Sequence, residues 1–90
     1  MLGQNWPNPF FGETTISYVL PKDAMVALRI YDLSGRIVRI LADGYEAAGV
    51  HRVRWDGDGE GGAHLGQGMY FYGLDLDGAP ASSRKALLIR

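Results

Sequence analysis

Three acidic residues at alternate positions are the part of this sequence that most resembles a metal-binding pattern. Asp56, Asp58 and Glu60 precede Gly61, as carboxylates do at the start of a calcium loop. An EF-hand also needs a bidentate carboxylate at its twelfth position and a helix on each side. The twelfth position here is Gln67, and no helical pattern flanks the segment. We therefore expect an acidic, solvated turn without a metal, and we keep Asp56, Asp58 and Glu60 as calcium candidates.

Two histidines, His51 and His64, are the other residues that could bind a metal or transfer a proton. A zinc site or an acid–base site needs three or four convergent groups. The sequence has no cysteine, and neither histidine has carboxylates clustered beside it. No serine lies in a nucleophile elbow, and no glycine-rich phosphate loop joins a strand to a helix. These observations predict a protein that is not an enzyme and that has no catalytic residue and no cofactor site.

Six aromatic side chains could form a flat platform for sugar rings, which makes a carbohydrate-binding module one alternative. They are Trp6, Tyr31, Tyr45, Trp55, Tyr70 and Tyr72. Trp55 and Tyr70 fall in phase with the apolar residues around them, and this phase favours packing in a core. Tyr70 also lies near the start of a late strand, where the hydroxyl of a tyrosine often caps the corner of an immunoglobulin-like domain.

Alternation of apolar and polar residues predicts short β-strands along most of the chain. The predicted strands are residues 14–20, 25–33, 36–41, 50–55, 69–76 and 83–89. Apolar spacing within 36–41 is mixed, so a short helix is an alternative there. Predicted turns lie at 33–36, 43–49, 56–68 and 77–78, where glycines cluster. Short strands separated by such turns predict an all-β fold, an immunoglobulin-like antiparallel β-sandwich of about seven strands.

The alternation also predicts which side chains form the core. Residues 1–11 are an extended lead-in, since its two prolines disfavour helix. We expect Trp6 and Phe10 to fold back over the core, because burying a large apolar side chain gains about 1.5–3 kcal/mol. The predicted inward-facing residues of the strands are Ile16, Tyr18, Val26, Leu28, Ile30, Val53, Trp55, Tyr70, Tyr72 and Leu74.

Length and charge limit the class of protein further. Ninety residues suffice for one domain, here residues 1–90. A formal net charge of −1 offers no electrostatic attraction to nucleic acid or to an anionic membrane. No apolar run approaches the ~18 residues that a transmembrane helix needs. We expect a single monomeric domain that has no membrane span and does not bind nucleic acid.

Several motifs, taken in their order along the chain, resemble the C-terminal sorting domain of proteins exported by the type IX (Por) secretion system. The resemblance opens at residues 2–10 and 14–18, continues through 30–36, 48–57 and 68–72, and closes at 84–89. Its signature residues are Asn5, Trp6, Pro7, Asn8, Pro9, Phe10, Gly35, Trp55, Asp56, Gly57, Gly68 and Tyr70. Trp6 stands where the family usually has a tyrosine. The same pattern is similar to the immunoglobulin-like domain of the flagellar hook-capping protein.

The resemblance implies a function that composition alone does not. It implies a non-catalytic C-terminal module that directs a larger secreted protein through type IX secretion to the surface of a Gram-negative bacterium. The implied partners are the translocon, its sorting peptidase and outer-membrane surface components. Recognition would involve the last strand, with Arg84, Lys85 and Arg90, although such charges also protect an edge strand from pairing with other chains. The hook-capping likeness implies instead a structural or assembly domain.

Overall fold

The structure is a computed structural model that describes all 90 residues. It contains seven β-strands and one three-residue 3₁₀ turn, at Glu60–Gly62. No helix in it has the length and apolar character needed to cross a membrane. The strands are β1 (Phe10–Phe11), β2 (Thr14–Leu20), β3 (Ala24–Tyr31), β4 (Ile37–Glu46), β5 (Gly49–Trp55), β6 (Gly68–Leu76) and β7 (Ala79–Ile89).

The strands form two sheets packed as a sandwich. The larger sheet has five strands in the order β1-β7-β6-β3-β4, and the smaller pairs β2 with β5. The predicted all-β sandwich of about seven strands is confirmed. One pairing departs from the antiparallel prediction, because β1 runs parallel to β7, with Phe10 opposite Leu88.

The core lies between the two sheets, where the alternation of each strand directs its apolar side chains. Val53 is partly buried and packs against this core, and the other predicted inward-facing residues are all buried. The buried cluster is Leu2, Phe10, Ile16, Tyr18, Leu20, Val26, Leu28, Ile30, Trp55, Tyr70, Tyr72, Leu74, Ala86 and Leu88.

The lead-in closes one side of the sandwich. Trp6 and Thr15 exchange two backbone hydrogen bonds of 2.9 Å, and the Gly3 N–H donates to the Ser17 carbonyl at 2.7 Å. Residues 1–6 therefore line the outer edge of β2, and the chain then crosses to β7. The peptide bonds before Pro7 and Pro9 are cis.

The prediction that both lead-in rings cover the core is right for Phe10 and wrong for Trp6. Phe10 is fully buried, whereas Trp6 is 78% exposed. Residues paired across a sheet share a face, and Trp6 pairs with Thr15, whose neighbours Thr14 and Ile16 are the ones that point inward. The indole therefore lies on the outer face of the smaller sheet.

Strand β4 departs from the prediction in two ways. It is a strand, so the helical alternative for residues 36–41 is wrong. It also continues to Glu46, through half of the predicted turn at 43–49, because Gly44 pairs with Val26 of β3. The ladder with β3 shifts register twice, leaving Val38 and Leu41 without a partner. Each such bulge adds one residue and reverses the alternation, which explains the mixed apolar spacing in this stretch.

Candidate functional site

Asp56 is tied to the sheet by an arginine of β4. The Arg39 Nη1 donates to Asp56 Oδ1 at 2.9 Å and to the Asp58 carbonyl at 2.9 Å. Asp56 also accepts a hydrogen bond from the Asp58 N–H at 3.0 Å. This backbone bond, helped by the charge of Arg39, holds the pKa of Asp56 below its usual range.

Arg90 holds together the ends of the glycine-rich segment 56–68. Its Nη2 donates to the Gly57 carbonyl at 2.6 Å and to Asp58 Oδ1 at 3.1 Å. Its Nε donates to the Leu65 carbonyl at 2.7 Å, and its N–H donates to Gln67 Oε1 at 3.0 Å. With its Nε and Nη2 donors used inside the domain, Arg90 is a structural clamp, although the sequence had suggested it for recognition.

The calcium candidates face arginines and backbone groups in this structure. Asp56 contacts Arg39, Asp58 contacts Arg90 at 3.1 Å, and Glu60 Oε2 accepts the Ile40 N–H at 3.4 Å. No group of three or more His, Cys, Asp or Glu side chains is placed to hold a metal ion. Sequence reasoning did not predict the ion pairs with Arg39 and Arg90, because these two arginines are distant from the segment along the chain. Absence of calcium binding stays a prediction.

The two histidines occupy different surroundings. His51 stacks on Tyr18 with ring centroids 5.3 Å apart, and its Nδ1 lies 3.5 Å from Glu46. His64 lies in the glycine-rich segment, where it forms an isolated β-bridge with Asp58. Neither histidine belongs to a group of three or more His, Cys, Asp or Glu side chains that could hold a metal ion.

The lead-in covers much of the outer edge of β7, the strand expected to carry the recognition surface. The Arg84 Nε donates to the Leu2 carbonyl at 2.7 Å, and the Lys85 carbonyl accepts from Gln4 Nε2 at 2.7 Å. The Leu87 N–H donates to Asn8 Oδ1 at 2.9 Å. The expectation of an open terminal strand therefore holds only for its first half. Of the three recognition candidates, Lys85 alone has a charged group without a partner in the chain.

Of the signature residues, Asn5 is the one whose polar side chain is buried at the centre of the lead-in. It is 1% exposed, and its Nδ2 donates to Thr14 Oγ1 at 3.0 Å and to the Pro7 carbonyl at 3.2 Å. Its N–H donates to the Tyr72 hydroxyl at 2.7 Å, and that hydroxyl donates to the Gly3 carbonyl at 2.8 Å. The signature thus fastens the lead-in across both sheets.

Trp55 and Tyr70 support the opposite end of the core. Trp55 is fully buried, its ring packs 5.8 Å from that of Tyr70, and its Nε1 donates to the Asp58 carbonyl at 2.9 Å. The Tyr70 hydroxyl donates to the Gly66 carbonyl at 2.7 Å, which is the bond expected of a corner tyrosine.

Gly57 has φ +80°, and the Cβ of any side chain there would lie 3.2 Å from the Gly12 carbonyl oxygen.

Gly35 closes the turn between β3 and β4. Its φ of +85° is in the left-handed region that favours glycine. The carboxylate of Asp32 accepts the Ser34 hydroxyl at 2.6 Å and the Arg36 N–H at 3.1 Å. The Ser34 hydrogen bond lowers the pKa of Asp32. This part of the signature therefore shapes a turn.

The six aromatic candidates for sugar stacking do not form one platform. Trp55, Tyr70 and Tyr72 are buried in the core, whereas Trp6 and Tyr45 are 78% and 68% exposed. Tyr45 lies on β4, and Trp6 lies beside β2. The carbohydrate-binding alternative required a single aromatic platform, and these side chains do not form one.

The smaller sheet has an uncovered edge that the sequence did not reveal. β5 pairs with β2 on one side and with no strand on the other. Arg52 and Arg54 are exposed along it, and Arg54 has only a 3.9 Å contact with Glu13. Because Val53 and Trp55 were predicted to face inward, alternation places these arginines on the outer face. That β5 is an edge strand follows only from the tertiary pairing.

A family model described as FlgD Ig-like domain matches residues 4–83. No curated protein matches the sequence. Dimeric latent PorU from Porphyromonas gingivalis has a similar structure over 96% of this chain and 9% of its own, with a TM-score of 0.79 and 21% identity.

Two further structures are similar over most of the chain. PorZ, an essential surface component of the type IX secretion system of P. gingivalis, aligns over 97% of this chain and 11% of its own, with a TM-score of 0.63 and 21% identity. FlgD from P. aeruginosa aligns over 83% of this chain and 60% of its own, with a TM-score of 0.61 and 27% identity. The chain therefore spans less than two thirds of each of these proteins.

Proposed function

Because this chain belongs to the family of FlgD Ig-like domains, we propose that it is a non-catalytic recognition module, and that it directs a larger secreted protein through type IX secretion to the cell surface. The observation that supports the export role is the likeness to PorZ, a surface component of a type IX secretion system, which covers 97% of the chain at a TM-score of 0.63. The order of the sequence motifs supports the same assignment.

The proposed mechanism is recognition of the folded surface by the translocon, its sorting peptidase and outer-membrane components of a Gram-negative bacterium. The carboxylates of the glycine-rich segment are engaged by Arg39 and Arg90, and Arg84 is bound to the Leu2 carbonyl. These groups hold the fold together. Lys85, exposed and unpaired on β7, is the charged residue of the last strand that can contact a partner.

An assembly domain of the hook-capping type is the second candidate. It is favoured by the family match over residues 4–83 and by the 27% identity to FlgD. Such a domain would act in building a surface structure and would carry no export information. A parent gene that encodes an upstream secreted domain favours export, whereas a parent gene among flagellar genes favours assembly.

The export role is tested by fusing residues 4–90 to a periplasmic reporter in a bacterium with a working type IX system. We expect the reporter to reach the cell surface or the medium. Lys85→Glu should lower that fraction several-fold, whereas Lys22→Glu, an equal charge change at an exposed turn, should not. A folded fusion that stays in the periplasm while a known sorting module is exported in parallel would show the proposal to be wrong.

A further inference from the structure

The uncovered edge of β5 carries unpaired backbone groups. Thr15, Ser17 and Val19 of β2 form their backbone hydrogen bonds with the lead-in. Successive residues of an antiparallel strand direct their backbone hydrogen bonds to opposite sides, so the even-numbered residues of β2 bond to β5. In the register between the two strands, His51 and Val53 lie opposite these residues and share hydrogen bonds with them.

The remaining residues of β5, Val50, Arg52 and Arg54, therefore direct their N–H and carbonyl groups away from β2. No hydrogen bond within the chain reaches these groups from the outer side. Other sheet edges are partly occupied: the lead-in bonds to the Lys85 carbonyl on β7, and Glu60 accepts the Ile40 N–H on β4. The edge of β5 thus remains a template for one more strand.

The side chains along this edge are basic and apolar. Val50 is 58% exposed, and the Arg54 side chain is 76% exposed. Arg52 is exposed and forms no ion pair, and the contact of Arg54 with Glu13 is long at 3.9 Å. Two guanidinium groups on the same face, two residues apart, match carboxylates at alternate positions of an added strand.

We propose that the outer edge of β5 binds an extended, acidic segment of a partner protein by strand addition. Backbone hydrogen bonds to Val50, Arg52 and Arg54 would supply affinity, and carboxylates opposite the arginines would supply specificity. The inference rests on the proposed function, since it identifies the surface through which a recognition module engages its partner.

A second copy of this chain is a poor occupant of the same edge. Antiparallel pairing of two β5 strands centred on Arg52 places Arg52 opposite Arg52, with Arg54 opposite Val50. Like charges directly opposite each other on a sheet are destabilising. The arginines therefore disfavour self-association and select for a strand of opposite charge.

The test uses the purified domain and a synthetic heptapeptide in which glutamates alternate with threonines. We expect the amide protons of Val50, Arg52 and Arg54 to exchange with solvent rapidly in the free domain and at least tenfold more slowly with saturating peptide. Amides of His51 and Val53 are already bonded to β2 and should change little. The same peptide, N-methylated at alternate amides on its pairing edge, keeps its charge and should not protect these protons.

Charge reversal distinguishes recognition of the peptide at the β5 edge from general electrostatic attraction to the domain. The double variant Arg52→Glu with Arg54→Glu should bind the glutamate peptide at least tenfold more weakly and should prefer a lysine version of it. A control with the same change in net charge, Lys22→Glu with Arg36→Glu, should bind within twofold of the unaltered domain. Circular dichroism and unfolding curves confirm that each variant is folded.

Three results would overturn the inference. These are equal binding of the N-methylated peptide, equal binding by the charge-reversed domain, and binding of a single-stranded oligonucleotide to the two arginines in place of the peptide. The export assay distinguishes this inference from the proposed function. Export without peptide binding refutes the β5 site alone, and peptide binding without export refutes the sorting role alone.

Discussion

A single tyrosine hydroxyl joins the lead-in to the core of the larger sheet. Tyr72 is fully buried, accepts the Asn5 N–H at 2.7 Å and donates to the Gly3 carbonyl at 2.8 Å. The Asn5 N–H is also buried in this contact. Removing the hydroxyl therefore leaves a buried donor without an acceptor, which costs more than the hydrogen bond itself contributes.

We expect Tyr72→Phe to lower the free energy of unfolding by about 1–3 kcal/mol, measured by urea denaturation. Tyr45→Phe is a matched control, because Tyr45 is 68% exposed and its hydroxyl forms no hydrogen bond within the chain. Its effect should be within about 0.5 kcal/mol, as for most surface changes. Equal stability of the two variants would mean that the Tyr72 hydroxyl does not anchor the lead-in.

At the scale of elements, the glycine-rich segment 56–68 is ordered by two arginines from outside it. Arg39 on β4 binds its first carboxylate, and Arg90 after β7 binds the carbonyls of Gly57 and Leu65. A cation that required Asp56 and Asp58 would first have to displace these two guanidinium groups. In this structure the ion pairs and the hydrogen bonds order the segment.

We expect thermal unfolding midpoints with millimolar calcium and with a chelator to agree closely. A ligand that binds only the native state stabilises it by mass action, so calcium binding at this segment would raise the midpoint. A clear rise that disappears in Asp56→Asn would show that the carboxylates do hold calcium. Arg90→Ala should lower the midpoint under both conditions, since it removes the clamp.

The dependence of stability on pH is a property of the whole sandwich. Burial raises the pKa of Tyr18, Tyr70 and Tyr72 in the folded domain. A hydrogen bond from the Tyr18 hydroxyl to Glu46 raises the pKa of that tyrosine further. Their contribution to stability is therefore complete below about pH 10, the pKa of an unfolded tyrosine, and is lost as pH rises above it.

We expect the urea midpoint to fall steeply above about pH 10, and to fall less in Tyr18→Phe, which has one buried hydroxyl fewer. At acidic pH the dependence of stability on pH has the opposite sign, because the pKa values of Asp32 and Asp56 are lowered in the folded domain. The stability from these carboxylates is present above about pH 3.9 and is lost as pH falls below it. An alkaline fall that is the same in Tyr18→Phe would contradict the assignment.

The sequence by itself determined the position of most strands and the direction of most of their side chains. Alternation has a period of two residues wherever a strand has one buried face, so β2 and β6 were predicted almost to the residue, with Leu74 and Tyr72 inward. Local turn chemistry was equally readable: Gly35 and the pair Asp77–Gly78 adopt the positive φ angles that these turns require. Both signals depend only on near neighbours along the chain.

Tertiary structure alone decided what each strand edge and each charge contacts. Trp6 faces solvent because its backbone pairs with Thr15, and Arg90 is a clamp because the last strand ends beside the segment after Trp55. The edge of β5 is open because β2 is the only strand that pairs with it, and the lead-in bonds to the far side of β2. These contacts join residues far apart in sequence, and no local pattern records which strand will lie beside another.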